Sequence, residues 1–339
     1  MEEKHGYPRA VLWPHPTPLE PNPRLAEAIG AAQVWAKRDD CNGLAFGGNK
    51  VRQLEYYIGE AISQGADTVL MTGAVQSNFV RTAAAACNRN GLACHIQLED
   101  RVPKDDPDYQ TSGNVLLDEL LGATMHRFSE GEDEAAADRE LEKLAAKLRD
   151  EGKTPYIVPM HPSHAPLGAL GYVDAAEELV DQFTQLDRKP DHVFSASGSG
   201  NTHAGTLYGL RKYGSKVPVT GICVRRSAEL QQPRIEQRCA QLADMLQETS
   251  PLSDTDIVTD DRFLAPGYGK AGPAAVEAMQ LCARLEGLIL DPVYTAKVMA
   301  GLIAHSRENP GQCLIFLHTG GGPAIFGYAN DLRRDVVGH

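Results

Sequence analysis

The stretch "DHVFSASGSGNTHAG", residues 191–205, decides how the rest of the chain is read. A short β-rich run leads into a turn of glycine and serine, and a helix-length segment follows directly. Small residues let the backbone approach a ligand, successive N–H groups form an anion nest, and a helix start adds partial positive charge. Ser199, Gly200, Asn201 and Thr202 therefore read as a phosphate cup, with a tight ligand-free turn as the plainer alternative. No Gly-Lys-Ser/Thr follows the glycines, so a nucleotide P-loop is excluded. The opening strand-turn-helix unit and acidic residue of a dinucleotide fingerprint are also missing.

The same rhythm extends outward from this unit. Runs at 67–73, 93–99, 123–128, 155–160, 219–224, 287–293 and 313–321 are β-rich, and helix-length amphipathic segments separate them. Such alternation predicts an α/β fold with mostly parallel sheets. Segment 51–64 places Val51, Leu54, Tyr57, Ile58, Ala61 and Ile62 on one face, with Gly65 as a stop. The charged, alanine-rich segment 130–151 reads as a solvated surface helix.

At 339 residues, two medium domains are expected. A formal charge of -12 disfavours nucleic acid and anionic membrane as partners. No apolar run reaches bilayer-spanning length, and the N-terminus lacks a secretory pattern, so a soluble cytoplasmic protein is expected. Seven scattered cysteines read as reduced thiols. His161 and His164 lie close in sequence without a His-Glu-x-x-His motif or paired cysteines, so no metal is expected. No Gly-x-Ser-x-Gly elbow supports a serine hydrolase.

In open α/β sheets, ligands bind beyond the carboxyl ends of the strands. In "TGAVQSNFVRTAAAA" (72–86), Ser77 reads as an N-cap, with Asn78 and Phe79 offering first-turn N–H groups to an anion such as a carboxylate. "DPVYTAKVMAGL" (291–302) sets Tyr294 and Thr295 at a helix start after a strand, and "HTGGGPAIFGY" (318–328) sets Thr319 at a strand end. Each alone fits a well-formed turn. Together they converge on one end of a sheet, which favours a site.

In "GLAFGGNKVRQLEYYIGEAI" (43–62), Lys50 stands between a glycine-rich turn and a helix. With the phosphate cup far away in sequence, this lysine is left for covalent work. That division is what pyridoxal 5'-phosphate requires: an anchored phosphate, a lysine amine for the Schiff base and a group at the ring nitrogen. The glycines beside Lys50 are expected to give the flat cofactor room against the backbone.

The segments "KRDDCNGLAFGGNKVRQLEYYIGEA" (37–61), "GAVQSN" (73–78), "SASGSGNTHAG", "FLAPGYG" (263–269), "LDPVYTAKVMAGLI" (290–303) and "HTGGGPAIFGY" resemble a known family, in the family's order. It is the D-cysteine desulfhydrase and 1-aminocyclopropane-1-carboxylate deaminase family of pyridoxal-phosphate enzymes. The resemblance implies a tryptophan-synthase-β-like (fold type II) architecture, two open twisted, mostly parallel sheets flanked by helices. Residues 1–50 plus 161–339 would form a larger cofactor-binding domain and 51–160 a smaller inserted α/β domain, usually in a homodimer.

By the same resemblance Lys50 is the Schiff-base lysine and Asn78 the partner of the ring hydroxyl. Ser199, Gly200, Asn201 and Thr202 cradle the phosphate, while Ser77, Asn78 and Phe79 hold the substrate carboxylate. Tyr268 and Tyr294 flank the reacting carbons. Cyclopropane deaminases carry glutamate and leucine where Thr295 and Thr319 stand, and the desulfhydrase branch has threonines there. Neutral hydroxyls leave the ring nitrogen mostly unprotonated, a weaker electron sink that suits elimination of a good leaving group. D-cysteine, giving pyruvate, hydrogen sulfide and ammonia, is thus the expected substrate.

Phe79 stands where the family tends to have histidine or glutamine, and His161 falls where the desulfhydrases have a glycine- and serine-rich turn. A cavity-lining His161 or His164 would suit an anionic distal group, as an L-cysteate sulfo-lyase needs. Another β-substituted alanine lyase, a cyclopropane deaminase, another α/β enzyme using a phosphorylated substrate, and a non-catalytic small-molecule-binding α/β protein are the alternatives.

Overall fold

The computed structural model describes residues 1–337 apart from 132, 162 and 254. Strands β1 (Glu2–Lys4) and β2 (Tyr7–Arg9) form an antiparallel hairpin, while β3 (Leu19–Pro21) and β4 (Gln33–Arg38) join a larger sheet. Next come β5 (Thr68–Ala74), β6 (Ala93–Glu99), β7 (Thr124–Phe128) and β8 (Pro155–Ile157), an all-parallel sheet ordered β7-β6-β5-β8. The remaining strands are β9 (His192–Ser197), β10 (Val219–Cys223), β11 (Val258–Asp260) and β12 (Cys313–His318). They complete a six-stranded sheet ordered β11-β10-β9-β12-β4-β3, parallel except at β3. The expected class, two mostly parallel sheets flanked by helices, is what folds.

Strand β12 shows why these runs make parallel sheet. All six residues of "CLIFLH" are buried, the near-continuous apolar pattern of a strand covered on both faces. Leu314 and Phe316 enter one hydrophobic cluster and Ile315 and Leu317 another, as period-2 geometry demands. The strand pairs with β4 on one side (Leu314 to Val34) and β9 on the other (Ile315 to Val193).

Segment 287–293, expected as a strand, is not one. Leu288 and Leu290 are buried and Ile289 is exposed, so the alternation is real. Both edges of β12 are already taken, however, and the Ile289 carbonyl accepts from His318 Nε2 (3.0 Å) rather than joining a ladder. No helix among the described residues is long and apolar enough to cross a membrane.

Helix Asn49–Ser63 buries Val51, Leu54, Tyr57, Ile58 and Ala61 completely or nearly so. Each large side chain so buried contributes about 1.5–3 kcal/mol, which makes this helix a rigid mount for Lys50 in its first turn. Behind it, Arg52 bonds Asp39 (Nη2 to Oδ1, 3.0 Å) and Glu178 (Nη1 to Oε2, 2.9 Å), and Tyr172 donates to Asp39. Burial alone would raise the Asp39 carboxyl; Arg52 and Lys37 outweigh it and hold the group below its ordinary range. The charged network ties the helix to the end of β4.

Helix Glu134–Asp150 is solvated only on its outer face. It buries Ala137, Leu141, Ala145 and Leu148, and its first turn reaches a functional cavity.

Candidate active site

The carboxyl ends of β5, β6, β9, β10 and β12 face one cavity between the two sheets. It is lined by Lys50, Ser77, Asn78, Phe79, Ser199 and Gly200, and also by Thr202, Tyr268, Tyr294, Thr319 and His161. Eleven of the residues singled out in the sequence thus share one space. Two stand behind the lining. Asn201 is buried in the first turn of helix Asn201–Lys212, donating Nδ2–H to the Tyr57 hydroxyl (3.3 Å). Thr295 is buried too, its hydroxyl donating to Asp291 Oδ1 (2.6 Å).

Lys50 is the chemically distinctive group. Among the described residues its Nζ makes no hydrogen bond and no ion pair, and lies 4.9 Å from the centre of the Phe79 ring. Burial pushes the amine down to about 8, close to the range where a lysine serves as nucleophile or base. The turn before it is held from outside. Arg81, fully buried, donates to the carbonyls of Ala45 and Gly47, where Ala45 (φ 44°) and Phe46 (φ 68°) adopt left-handed backbone.

The glycines beside Lys50 sit against neighbouring backbone. A Cβ on Gly48 would lie 2.9 Å from the Thr319 carbonyl, and one on Gly47 2.4 Å from the carbonyls of Asn42 and Asp40. Gly48 lets the Lys50 turn pack against the Thr319 turn, where Asn49 N–H donates to the Thr319 carbonyl (3.1 Å), and Gly47 lets the chain close on the 40–42 turn.

At the strand end of β9, Gly200 (φ 99°) turns the chain into helix Asn201–Lys212. The Thr202 hydroxyl accepts from Asn49 Nδ2 (2.8 Å) and Gln53 Nε2 (3.0 Å). With both acceptor positions filled, its own proton is left to donate. The helix start and this hydroxyl together make an anion cup fastened to the Lys50 helix. Beneath it, buried His203 meets the Ser197 hydroxyl (Nδ1 to Oγ, 3.1 Å), and burial pushes the imidazole down to about 4, hence neutral.

Ser77 caps helix Asn78–Arg89, its Oγ accepting from the N–H groups of Phe79 (3.2 Å) and Val80 (3.4 Å). The Phe79 N–H is therefore engaged, leaving the Ser77 O–H and the Asn78 N–H for a carboxylate. Asn78 Oδ1 accepts from Asn114 Nδ2 (3.0 Å) and Arg81 Nη2 (3.3 Å), so the amide end of Asn78 is the part left for a ligand. The hydroxyls of Tyr268 and Tyr294 lie 2.7 Å apart. Burial, then Tyr268, raises Tyr294 well above the ordinary phenol range, so it stays protonated at neutral pH.

Several lining groups escaped the sequence reading. Asp291 clamps the start of helix Thr295–Glu308, accepting from the N–H groups of Val293, Tyr294 and Thr295 (2.9, 2.9 and 2.8 Å). Arg101, Glu134, Arg225, Arg226 and Arg234 also line the cavity. The strand-end rule, applied to "VTGICVRR", would have found Arg225 and Arg226. His161 lines the cavity as anticipated, its Nδ1 2.8 Å from Ser163 Oγ; His164 is exposed, and Pro162 between them lies outside the described residues.

An unpaired, depressed lysine, a hydroxyl-lined anion cup and an oriented asparagine amide fit pyridoxal phosphate, and with this fold they define a pyridoxal-phosphate enzyme. The chain belongs to the pyridoxal-phosphate dependent enzyme family, whose match spans residues 12–320. It is similar to the 1-aminocyclopropane-1-carboxylate deaminase of Burkholderia vietnamiensis, 39% identical with 96% of this chain and 98% of the relative covered. The D-cysteine desulfhydrase of Salmonella choleraesuis is 40% identical, with 95% and 96% covered. A solved structure of an ACC deaminase homologue superposes with a TM-score of 0.85 at 33% identity, covering 97% of this chain and 96% of that one. The chain is thus a lyase-type member of the group holding these two enzymes, with pyridoxal phosphate as cofactor.

Proposed function

We propose that the chain catalyses α,β-elimination from a small β-substituted amino acid, with D-cysteine giving pyruvate, hydrogen sulfide and ammonia. The observation that carries this reading is the unpartnered amine of Lys50, sharing one cavity with the anion cup and the tyrosine pair. The bound cofactor supplies an electron sink for the pair left at Cα when its proton departs.

The chain's own residues do the rest. The start of helix Asn201–Lys212 and the Thr202 O–H hold the phosphate, and the Asn78 amide donates to the ring hydroxyl oxygen. The Ser77 O–H and the Asn78 N–H hold the substrate carboxylate. Lys50 Nζ, lowered to about 8, accepts the Cα proton, and the Tyr268–Tyr294 pair donates toward the leaving group. Thr319 lines the cavity at a strand end and supplies a neutral hydroxyl toward the ring nitrogen; Thr295, bonded to Asp291, holds Tyr294 and the helix start in place. The absence of a carboxylate at position 295 supports elimination over opening of an unactivated ring. We also propose that residues 1–50 plus 161–339 form one domain and 51–160 a second, a division supported by the membership of the two sheets.

Borohydride reduction of the holoenzyme followed by peptide mapping is expected to place the cofactor on Lys50, and Lys50→Ala to abolish keto-acid release. An adduct on a different lysine, or an alanine variant as fast as the parent, would sink the reading. Faster keto-acid release from the cyclopropane substrate than from D-cysteine would overturn the substrate.

A further inference from the structure

Two glycines flank Tyr268, and both have left-handed backbone, Gly267 at φ 132° and Gly269 at φ 72°. Val102 closes on Gly269, since a Cβ there would lie 2.4 Å from its side chain, whereas a Cβ on Gly267 would meet nothing within 4 Å. The chain is therefore free to swing on the Gly267 side unless something else fixes it. Yet the Tyr268 hydroxyl stands 2.7 Å from that of Tyr294, in the pair assigned above to the leaving group.

Lys297 supplies the missing fixture. Its Nζ donates to the carbonyls of Leu264 (2.8 Å) and Gly267 (2.7 Å), and the Leu264 carbonyl also accepts from the Gly267 N–H (2.9 Å). One amine thus closes the turn that ends on the residue before Tyr268. Lys297 belongs to the first turn of helix Thr295–Glu308, whose N-cap is Tyr294, and Ala296, Val298, Met299 and Ala300 around it are all buried. Both phenols are in this way referred to the same rigid helix start. The lysine falls within "LDPVYTAKVMAGLI" and its two acceptors within "FLAPGYG", so two segments far apart in sequence become one unit.

The place is an unfavourable one for a cation. Lys297 is fully buried, a helix N-terminus repels positive charge, and among the described residues no carboxylate stands within ion-pair distance of Nζ. Asp291 favours the ammonium only through its field, and burial outweighs it, pushing the amine down to about 8. An apolar side chain of the same length would fill the space without that cost, so the amine is there for the two carbonyls. Resting on the elimination reading above, we infer that Lys297 is a positioning residue, holding the 264–267 turn so that Tyr268 stays within reach of Tyr294 and of the departing group. Of two hydroxyls 2.7 Å apart, one donates to the other and the second O–H is left to donate outward. The outward proton passes to sulfur as the Cβ–S bond breaks with its electron pair on sulfur, and solvent restores it. A Tyr268 that swings away loses the relay while Lys50 and the anion cup stay as they are.

Lys297→Met keeps the packing and removes the donors, and two readouts on holoenzyme test the role. Hydrogen exchange should speed up about tenfold or more at the amides of Leu264 and Gly267, which are bonded to the carbonyls of Asp261 and Leu264, and stay unchanged in helix Asn49–Ser63. Keto-acid release is then compared for D-cysteine, whose sulfur takes up a proton on leaving, and β-chloro-D-alanine, whose chloride leaves without one. The ratio of kcat/KM for the first to the second should fall about tenfold or more, a readout that loss of folded protein does not move. In a Tyr268→Phe background the same substitution should lower the ratio less than about twofold, because the lysine acts through that phenol. Lys297→Gln, which keeps a donor amide of shorter reach, should fall between parent and Lys297→Met in both readouts and carries the test if the methionine variant does not fold. Unchanged exchange at 264–267, an equal fall for the two substrates, or a full additional loss on top of Tyr268→Phe would each overturn the inference. No keto acid from either substrate with the parent protein would sink the elimination reading instead, and the exchange result would still judge the strut.

Discussion

The titration of Lys50 can be followed apart from turnover, through capture of the cofactor by stripped apoenzyme. Only the neutral amine attacks an aldehyde, so the capture rate follows the neutral fraction of Nζ. An ordinary lysine, with a pKa of about 10.4, is only about 0.1% neutral at about pH 7.5. Burial lowers Lys50 to about 8, where roughly a quarter of the amines are neutral at that pH, an advantage of about 200-fold. The Phe79 ring, 4.9 Å from Nζ, favours the ammonium by about 0.5–1 kcal/mol and so opposes burial without reversing it. Stopped-flow growth of the visible band of bound cofactor, normalised to a free lysine peptide in the same buffers, should stay level below about pH 8 and fall about tenfold per pH unit above it. Phe79→Leu should move the break to lower pH by about half a unit, because the ring that favours the charged form is gone. A normalised rate that stays level without a break through about pH 10 would refute the assignment of a depressed amine to this position.

Two further expectations concern the cofactor's anchors. Thr202→Val removes the proposed phosphate donor and leaves Asn49 Nδ2 and Gln53 Nε2 without their acceptor. At about 1–3 kcal/mol per lost bond to a charged or buried partner, the cofactor's dissociation constant should rise about 10- to 100-fold. Spectrophotometric titration showing unchanged affinity would assign the anchoring to the helix start alone. Thr295→Val breaks the 2.6 Å bond to Asp291 and should cost about 1–2 kcal/mol of stability, seen as a lower Tm. Thr319→Val should cost more in kcat than Thr295→Val, and the reverse order would return Thr295 to the ring nitrogen.

The fold was legible because apolar runs and glycine-rich turns report local conformation. "CLIFLH" and "DHVFSAS" are each buried on nearly every residue, a pattern that short parallel strands impose on their own sequence. Strand β4, "QVWAKR", is not announced by its sequence because its buried residues include Lys37, a charge held there by Glu178, Gln182 and the Thr17 carbonyl, all distant in sequence. The opposite error, a strand at 287–293, has the same root. Alternating burial is local, whereas a ladder needs a free sheet edge, which only the topology reveals.

The site divides along the same line. Lys50, Ser77, Ser199 and Thr319 are legible because each sits at the junction of a strand end or glycine-rich turn with a helix, and such junctions can be read from a dozen consecutive residues. Thr295 occupies a junction of the same kind, yet its hydroxyl is taken by Asp291, a partner four residues away whose orientation no periodicity announces. The arginine wall is harder still. Arg101, Arg226 and Arg234 are unremarkable one by one in a chain with 33 basic residues. They meet only when two sheets bring the ends of β6 and β10 to one cavity and a helix start delivers Glu134 between them. Reaction type is therefore written in local sequence, at the lysine and the turns that serve it. The charges around that lysine are assembled by the topology from distant segments, which is why they are invisible to any reading of consecutive residues.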